Sequence, residues 1–129
     1  MYIDGAVGNV DKNLIAVFHK ANSILRPGIL PSDYQLQVLE FMEEELIKLG
    51  LIDAEEAKNQ DDSKPLVKKY FMHGTSHHLG LDVHDVCPPD TLFDVGQVLT
   101  IEPGIYVRAA DDIPEKYHDV GIRIEDDAV

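Results

Sequence analysis

The spacing of apolar residues in this 129-residue chain changes character once, near Pro65. Before that point apolar side chains recur at helical intervals, and after it they alternate as in strands. Over residues 11 to 25, Leu14, Ile15, Val17, Phe18, Ala21, Ile24 and Leu25 predict a first helix, with Asp11 as its N-cap and Arg26-Pro27-Gly28 as its stop. Residues 1 to 10 show no comparable periodicity. A second helix is expected after Pro31-Ser32-Asp33, with Leu36, Val38, Leu39, Met42, Leu46 and Leu49 as its apolar stripe and Gly50 as its stop. Residues 53 to 65, DAEEAKNQDDSKP, read as a polar connection with room for one helical turn. Strand character then begins. It enters the histidines at residues 70 to 73, runs through residues 97 to 107 (QVLTIEPGIYV) with a Pro-Gly interruption, and returns over residues 120 to 124. Helices first, strands afterwards and no βαβ alternation predict an α+β domain, with two helices on one face of a mostly antiparallel sheet.

Charge narrows the function classes. The chain carries 24 acidic and 11 basic residues, a net charge of -13. Such a surface repels phosphate backbones and anionic lipid, so neither nucleic acid nor membrane is an expected partner. It is compatible with cations. The single cysteine, Cys87, cannot form an internal disulfide, which favours a reducing compartment. No run approaches the roughly 18 apolar residues of a membrane span. The first residues lack a signal-peptide layout, so a cytoplasmic location is expected.

The stretch HGTSHHLGLDVHD, residues 73 to 85, holds four of the six histidines. His73 and His77 have the spacing that two zinc ligands take on a helix, but Gly74, Thr75 and Ser76 are poor helix formers and no glutamate follows His73. A strand-to-loop path fits better. Two strand segments each carry a glutamate. In VLTIEPG, Leu99 and Ile101 share one face, and Val98, Thr100 and Glu102 share the other. In GIRIED, Ile122 and Ile124 oppose Gly121, Arg123 and Glu125. Alternation alone leaves two readings open. Both carboxylates face solvent, or both face a cleft where they need a partner or a cation. Two carboxylates and an imidazole suit Mn, Co or Zn, and a metal pair of that kind usually hydrolyses a bond.

HGTSHHLGLDVHD, LTIEPGIYV and GIRIEDD, in that order, resemble the C-terminal half of a pita-bread-fold metallopeptidase. The wording is most similar to the aminopeptidase P (Xaa-Pro aminopeptidase) and prolidase branch, and less similar to methionine aminopeptidases. The resemblance implies that residues 1 to 129 form the C-terminal part of a catalytic domain, two helices packed on a curved sheet. It implies metal ligation by His77, Glu102 and Glu125, with Glu125 bridging two metals. It gives His73 and His84 catalytic places in the cleft, contacting substrate and the reaction intermediate. Arg123 would hold a carboxylate in place, and by alternation it shares a strand face with Glu125. The implied reaction removes the N-terminal residue from peptides whose second residue is proline. A complete site would hold two divalent metals, manganese first, with cobalt or zinc as alternatives.

The chain departs from that pattern at several positions. His78 stands where an aromatic is usual, and Cys87 where glycine is common. The residue beside a strand ligand points the other way, so His78 is not expected to ligate. Asp82 and Asp85 are expected to fix the turn or a histidine tautomer rather than to bind metal. The family's two other ligands are aspartates in a D-x-G and a later D-x-T. Asp4-Gly5 and Asp11 are the upstream candidates, and their spacing does not match. The expectation is therefore a fragment that binds at most one metal and has little activity alone. Its uncovered apolar surface is expected to favour a homo-oligomer. The alternative is a metal-free pita-bread domain that binds peptides or proteins. The retained His77, Glu102 and Glu125 weigh against it.

Overall fold

A computed structural model describes residues 5–88 and 90–129. Its elements are α1 (Gly5–Ile24), α2 (Pro31–Lys48), a short α3 (Ala54–Lys58), and strands β1 (Leu99–Ile101), β2 (Gly104–Tyr106), β3 (Gly121–Arg123) and β4 (Asp126–Ala128). Single 3₁₀ turns cover Leu66–Lys69 and Glu115–Tyr117. Among the described residues no helix is long and apolar enough to cross a membrane.

Helix α1 begins earlier than the sequence predicts. Ala6 and Val10 continue the buried stripe of Leu14, Val17 and Ala21, so Asp11 lies inside the helix and is not its cap. Gly5 and Gly8 disguise this start, because glycine is a poor helix former. Burial of the stripe outweighs that preference. Asp4 lies outside the described residues. Helix α2 begins at Pro31, whose fixed φ and missing N–H suit a first helical position. It ends as expected at Gly50, which adopts φ +76°. Gly50 N–H donates to the Ile47 carbonyl and Leu51 N–H to the Leu46 carbonyl, the paired bonds of a Schellman stop. The buried face of α2 is Tyr34, Val38, Met42, Glu45 and Leu46. Leu36, assigned to the stripe from spacing, is 60% exposed. Glu45 is buried because Asn13 of α1 and Lys48 satisfy its two carboxylate oxygens.

The polar connection contains the expected helical turn. Asp53 caps α3 by accepting the Glu55 and Glu56 amides. Strand pairing is antiparallel throughout. β1 pairs with β4, Leu99 opposite Ala128, and β2 pairs with β3, Ile105 opposite Ile122. The strand expected over residues 97 to 107 with a Pro-Gly interruption is two strands, which part at Glu102-Pro103. β4 was not expected at all, since acidic residues are depleted in strands. The segment 73–79 lies against β1 on its other side. Glu102 N–H donates to the Thr75 carbonyl, Thr100 N–H to the His77 carbonyl, and Leu79 N–H to the Val98 carbonyl. Helices α1 and α2 pack on each other, and α1 also covers β1, β2 and β3. The core between them includes Phe71, Ile101 and Ile105. The architecture is α+β, helices packed on small antiparallel sheets.

Candidate metal centre

The site sits where the histidine segment crosses the end of β1. Thr100 and Glu102 were assigned to a strand face that could have been solvent-exposed. In the structure both faces of β1 are covered, and Thr100 is 1% and Glu102 9% exposed. A carboxylate so placed needs partners. Thr100 Oγ1 donates to Glu102 Oε1 at 3.0 Å and accepts the His77 backbone N–H at 3.1 Å. One hydroxyl thus ties the backbone of His77 to the carboxylate its ring faces. Thr100 is a site residue that the sequence pattern did not single out.

His77 Nε2 lies 2.9 Å from Glu102 Oε1. Its Nδ1 lies 2.9 Å from the His78 carbonyl, which can only accept, so Nδ1 carries a proton and donates. In the neutral ring Nε2 is then a bare lone pair aimed at a carboxylate oxygen. Two acceptors at that distance require a positive charge between or on them. The donor set, one imidazole and a carboxylate, suits a divalent transition metal. Donors bound to one such ion at about 2.1 Å stand about 3 Å apart when at right angles. The pair therefore fits a metal.

The other expected residues are arranged around this pair. His84 lies beside His77, ring centroids 4.3 Å apart and planes tilted by 55°, and the residue is exposed. His73 donates from Nδ1 to the Gly74 carbonyl at 2.8 Å. In the neutral ring its Nε2 then accepts the Tyr106 hydroxyl at 2.8 Å. Tyr106 is a second residue missed from sequence. A Cβ at position 104 would lie 2.5 Å from the Tyr106 phenol oxygen, so a larger residue there would displace the phenol from His73. His73, Gly74, Ser76, His77, His84, Glu102 and Arg123 line a cleft of about 360 Å³.

Glu125 stands apart from the pair. Arg123 spans between, NH1 at 3.8 Å from Glu102 Oε2 and Nε at 3.9 Å from Glu125 Oε2. Among the described residues no three His, Cys, Asp or Glu side chains close around one point. The structure thus brings His77 and Glu102 together and leaves Glu125 at one remove, joined through Arg123. His78 turns the other way, its Nε2 3.4 Å from Gln97 Oε1, and Cys87 lies on that same side.

The sequence profile of metallopeptidase family M24 matches residues 9–129. The chain belongs to this family. The Xaa-Pro aminopeptidase of Escherichia coli K12 is 41% identical over 112 residues, which is 82% of this chain and 24% of that protein. Intermediate cleaving peptidase 55 of Saccharomyces cerevisiae is 38% identical over 125 residues, 95% of this chain and 22% of that protein. The solved structure of Zn-substituted E. coli aminopeptidase P in complex with product superposes with a TM-score of 0.82 at 34% identity, covering 97% of this chain and 29% of that one. The same enzyme with the inhibitor Pro-Leu gives the same values. This M24 chain spans about a quarter of the length of the relatives it matches. Use of a divalent metal is a property of its family.

Proposed function

We propose that this chain is the portion of an Xaa-Pro aminopeptidase-type hydrolase that carries three metal ligands and the cleft histidines. The reading rests on one observation above all. His77 Nε2, its other nitrogen committed to the His78 carbonyl, faces Glu102 Oε1 at 2.9 Å. His77, Glu102 and Glu125 would hold the metal, manganese first and cobalt or zinc as alternatives. When bound, a divalent metal supplies an acidified water and polarises a peptide carbonyl.

The chain's own residues do the remaining work. Thr100 holds the Glu102 carboxylate and the His77 backbone in register. Arg123 lies between the two carboxylates and offsets their mutual repulsion. Tyr106 donates a hydrogen bond from its phenol to His73 Nε2, which fixes that ring at the cleft wall. His84, exposed beside His77, is the imidazole available to give or take a proton at the substrate. The substrate is a peptide with proline second. A cytoplasmic location and self-association through exposed apolar side chains such as Leu81 and Val86 belong to the same proposal.

Titration of the 129-residue chain with Mn²⁺, Co²⁺ and Zn²⁺ tests the reading, alongside an Xaa-Pro peptide assay. Binding of one ion, lost in His77→Ala, with no turnover by the chain alone, is the expected result. No ion binding would remove the metal site and favour a peptide-binding module. Turnover by the isolated chain would overturn the expectation that it lacks a complete site.

A further inference from the structure

The histidine segment runs along β1, yet two of its amides are held by side chains and not by a strand partner. His77 N–H goes to Thr100, within the site. Thr75 N–H donates to Gln35 Oε1 at 2.8 Å, a residue 40 positions earlier, in the first turns of α2. Thr75 lies midway between His73 and His77, and it is wholly buried. Its carbonyl accepts the Glu102 amide at 2.7 Å. Gln35, Thr75 and Glu102 therefore form one line of hydrogen bonds from helix to carboxylate strand.

The surroundings of this line are unusual. Among the described residues Gln35 Nε2 and Thr75 Oγ1 are buried side-chain atoms without a hydrogen-bond partner, and the equally buried Tyr34 OH and Ser76 Oγ face each other. All four belong to two short stretches, residues 34 to 35 and 75 to 76, which Gln35 joins. Buried unpaired polar groups are costly, and apolar residues of similar shape would avoid that cost. Docking of α2 does not require them, because Val38, Met42 and Leu46 already bury its face. A polar contact kept in such a place points to position and not to adhesion.

We propose that Gln35 is a positioning residue for the metal-binding segment, its side-chain carbonyl setting the place of Thr75 and through it the place of His73 against Tyr106 and the aim of His77 at Glu102. The inference rests on the proposed function for what those histidines do. A shift of a fraction of an ångström at a ligand is enough to weaken a metal site.

The test compares wild type with Gln35→Met, which removes the acceptor, and Gln35→Glu, which keeps an acceptor oxygen. Gln35→Ala serves if Gln35→Met does not fold. In the metal-free chain, NMR follows Thr75 amide exchange and the ring Cε1–H resonances of all six histidines. Calorimetry then follows binding of Mn²⁺ and Zn²⁺. Loss of the acceptor is expected to speed Thr75 exchange about tenfold and to weaken ion affinity about tenfold. The His73 and His77 rings should shift while those of His19 and His118 stay in place, and Gln35→Glu should recover most of each change. Unchanged His73 and His77 resonances in the acceptor-less variant would overturn the proposal. So would equal shifts at His19 and His118, which would mark a general loosening. If wild type binds no ion, the metal reading fails, and the ring resonances still decide the role of Gln35.

Discussion

Glu102 and Glu125 both follow a three-residue strand, β1 and β3, and their surroundings differ sharply. Every residue of β1 is buried, and α1 lies over it. Glu102 therefore leaves water and acquires Thr100, His77 and, at longer range, Arg123. β3 has its first and last residues exposed, and the Glu125 side chain is 47% exposed with Arg123 at 3.9 Å. A buried carboxylate without partners is costly, so its partners are fixed by the fold. An exposed one is screened by water and needs none. The fold thus supplies partners around Glu102 and leaves Glu125 largely to solvent.

The largest effect should separate the two glutamates. Glu102→Ala is expected to lower divalent-ion affinity of the chain about 100-fold, and Glu125→Ala less than tenfold, by calorimetry. Equal losses would erase the distinction. Thr100→Val comes next. It keeps shape, removes both hydrogen bonds of the hydroxyl, and should cost about 1–3 kcal/mol in urea unfolding with Glu102 left under-satisfied. Thr100→Ser should keep most of that stability, and a stable Val variant would show that the hydroxyl does not organise the buried half. Arg123→Met acts on the exposed half. The Arg123 side chain is 51% exposed, so the stability cost should stay below about 1 kcal/mol. A larger loss would mean that the guanidinium organises both halves.

The smallest effect is a surface control outside the cleft that Glu102 lines. Lys69 Nζ and Asp112 Oδ2 are 2.7 Å apart and exposed. Their hydrogen bond holds the Lys69 ammonium above its ordinary pKa and the Asp112 carboxyl below its own. The lowered carboxyl contributes stability above the unfolded aspartate value and loses it as pH falls through the folded one. The raised ammonium contributes below the unfolded lysine value and loses it as pH rises through the folded one. Any difference in melting temperature between wild type and Asp112→Asn should therefore be small and flat from about pH 5 to pH 10, and shrink as pH falls below the unfolded aspartate value of about 3.9. A pH-independent difference would assign it to packing.

Much of this was legible in the residues. The periodicity of Leu14 to Leu25, the Gly50 stop and the Asp53 turn needed only local propensity and capping. The motifs around His77, Glu102 and Glu125 marked the family. Other features carried no local sign. The start of α1 was hidden by Gly5 and Gly8, and β4 by its aspartates, because packing against α2 and pairing with β1 outweigh weak intrinsic preferences. Leu36 fits a helical stripe by spacing alone, yet the helix turns Tyr34 inward instead.

Motif order and residue chemistry, carried by nearest neighbours along the chain, were enough to name a family and a set of candidate ligands. Which carboxylate would be buried was a different matter. Alternation offers Glu102 and Glu125 the same choice of face, and only the cover laid by α1 and the histidine segment makes one of them a preassembled partner of His77. The same holds for Gln35, Thr100 and Tyr106, whose partners stand 40, 23 and 33 residues away. Desolvation and hydrogen-bond completion depend on what the folded chain brings together across such distances, and no local pattern encodes them.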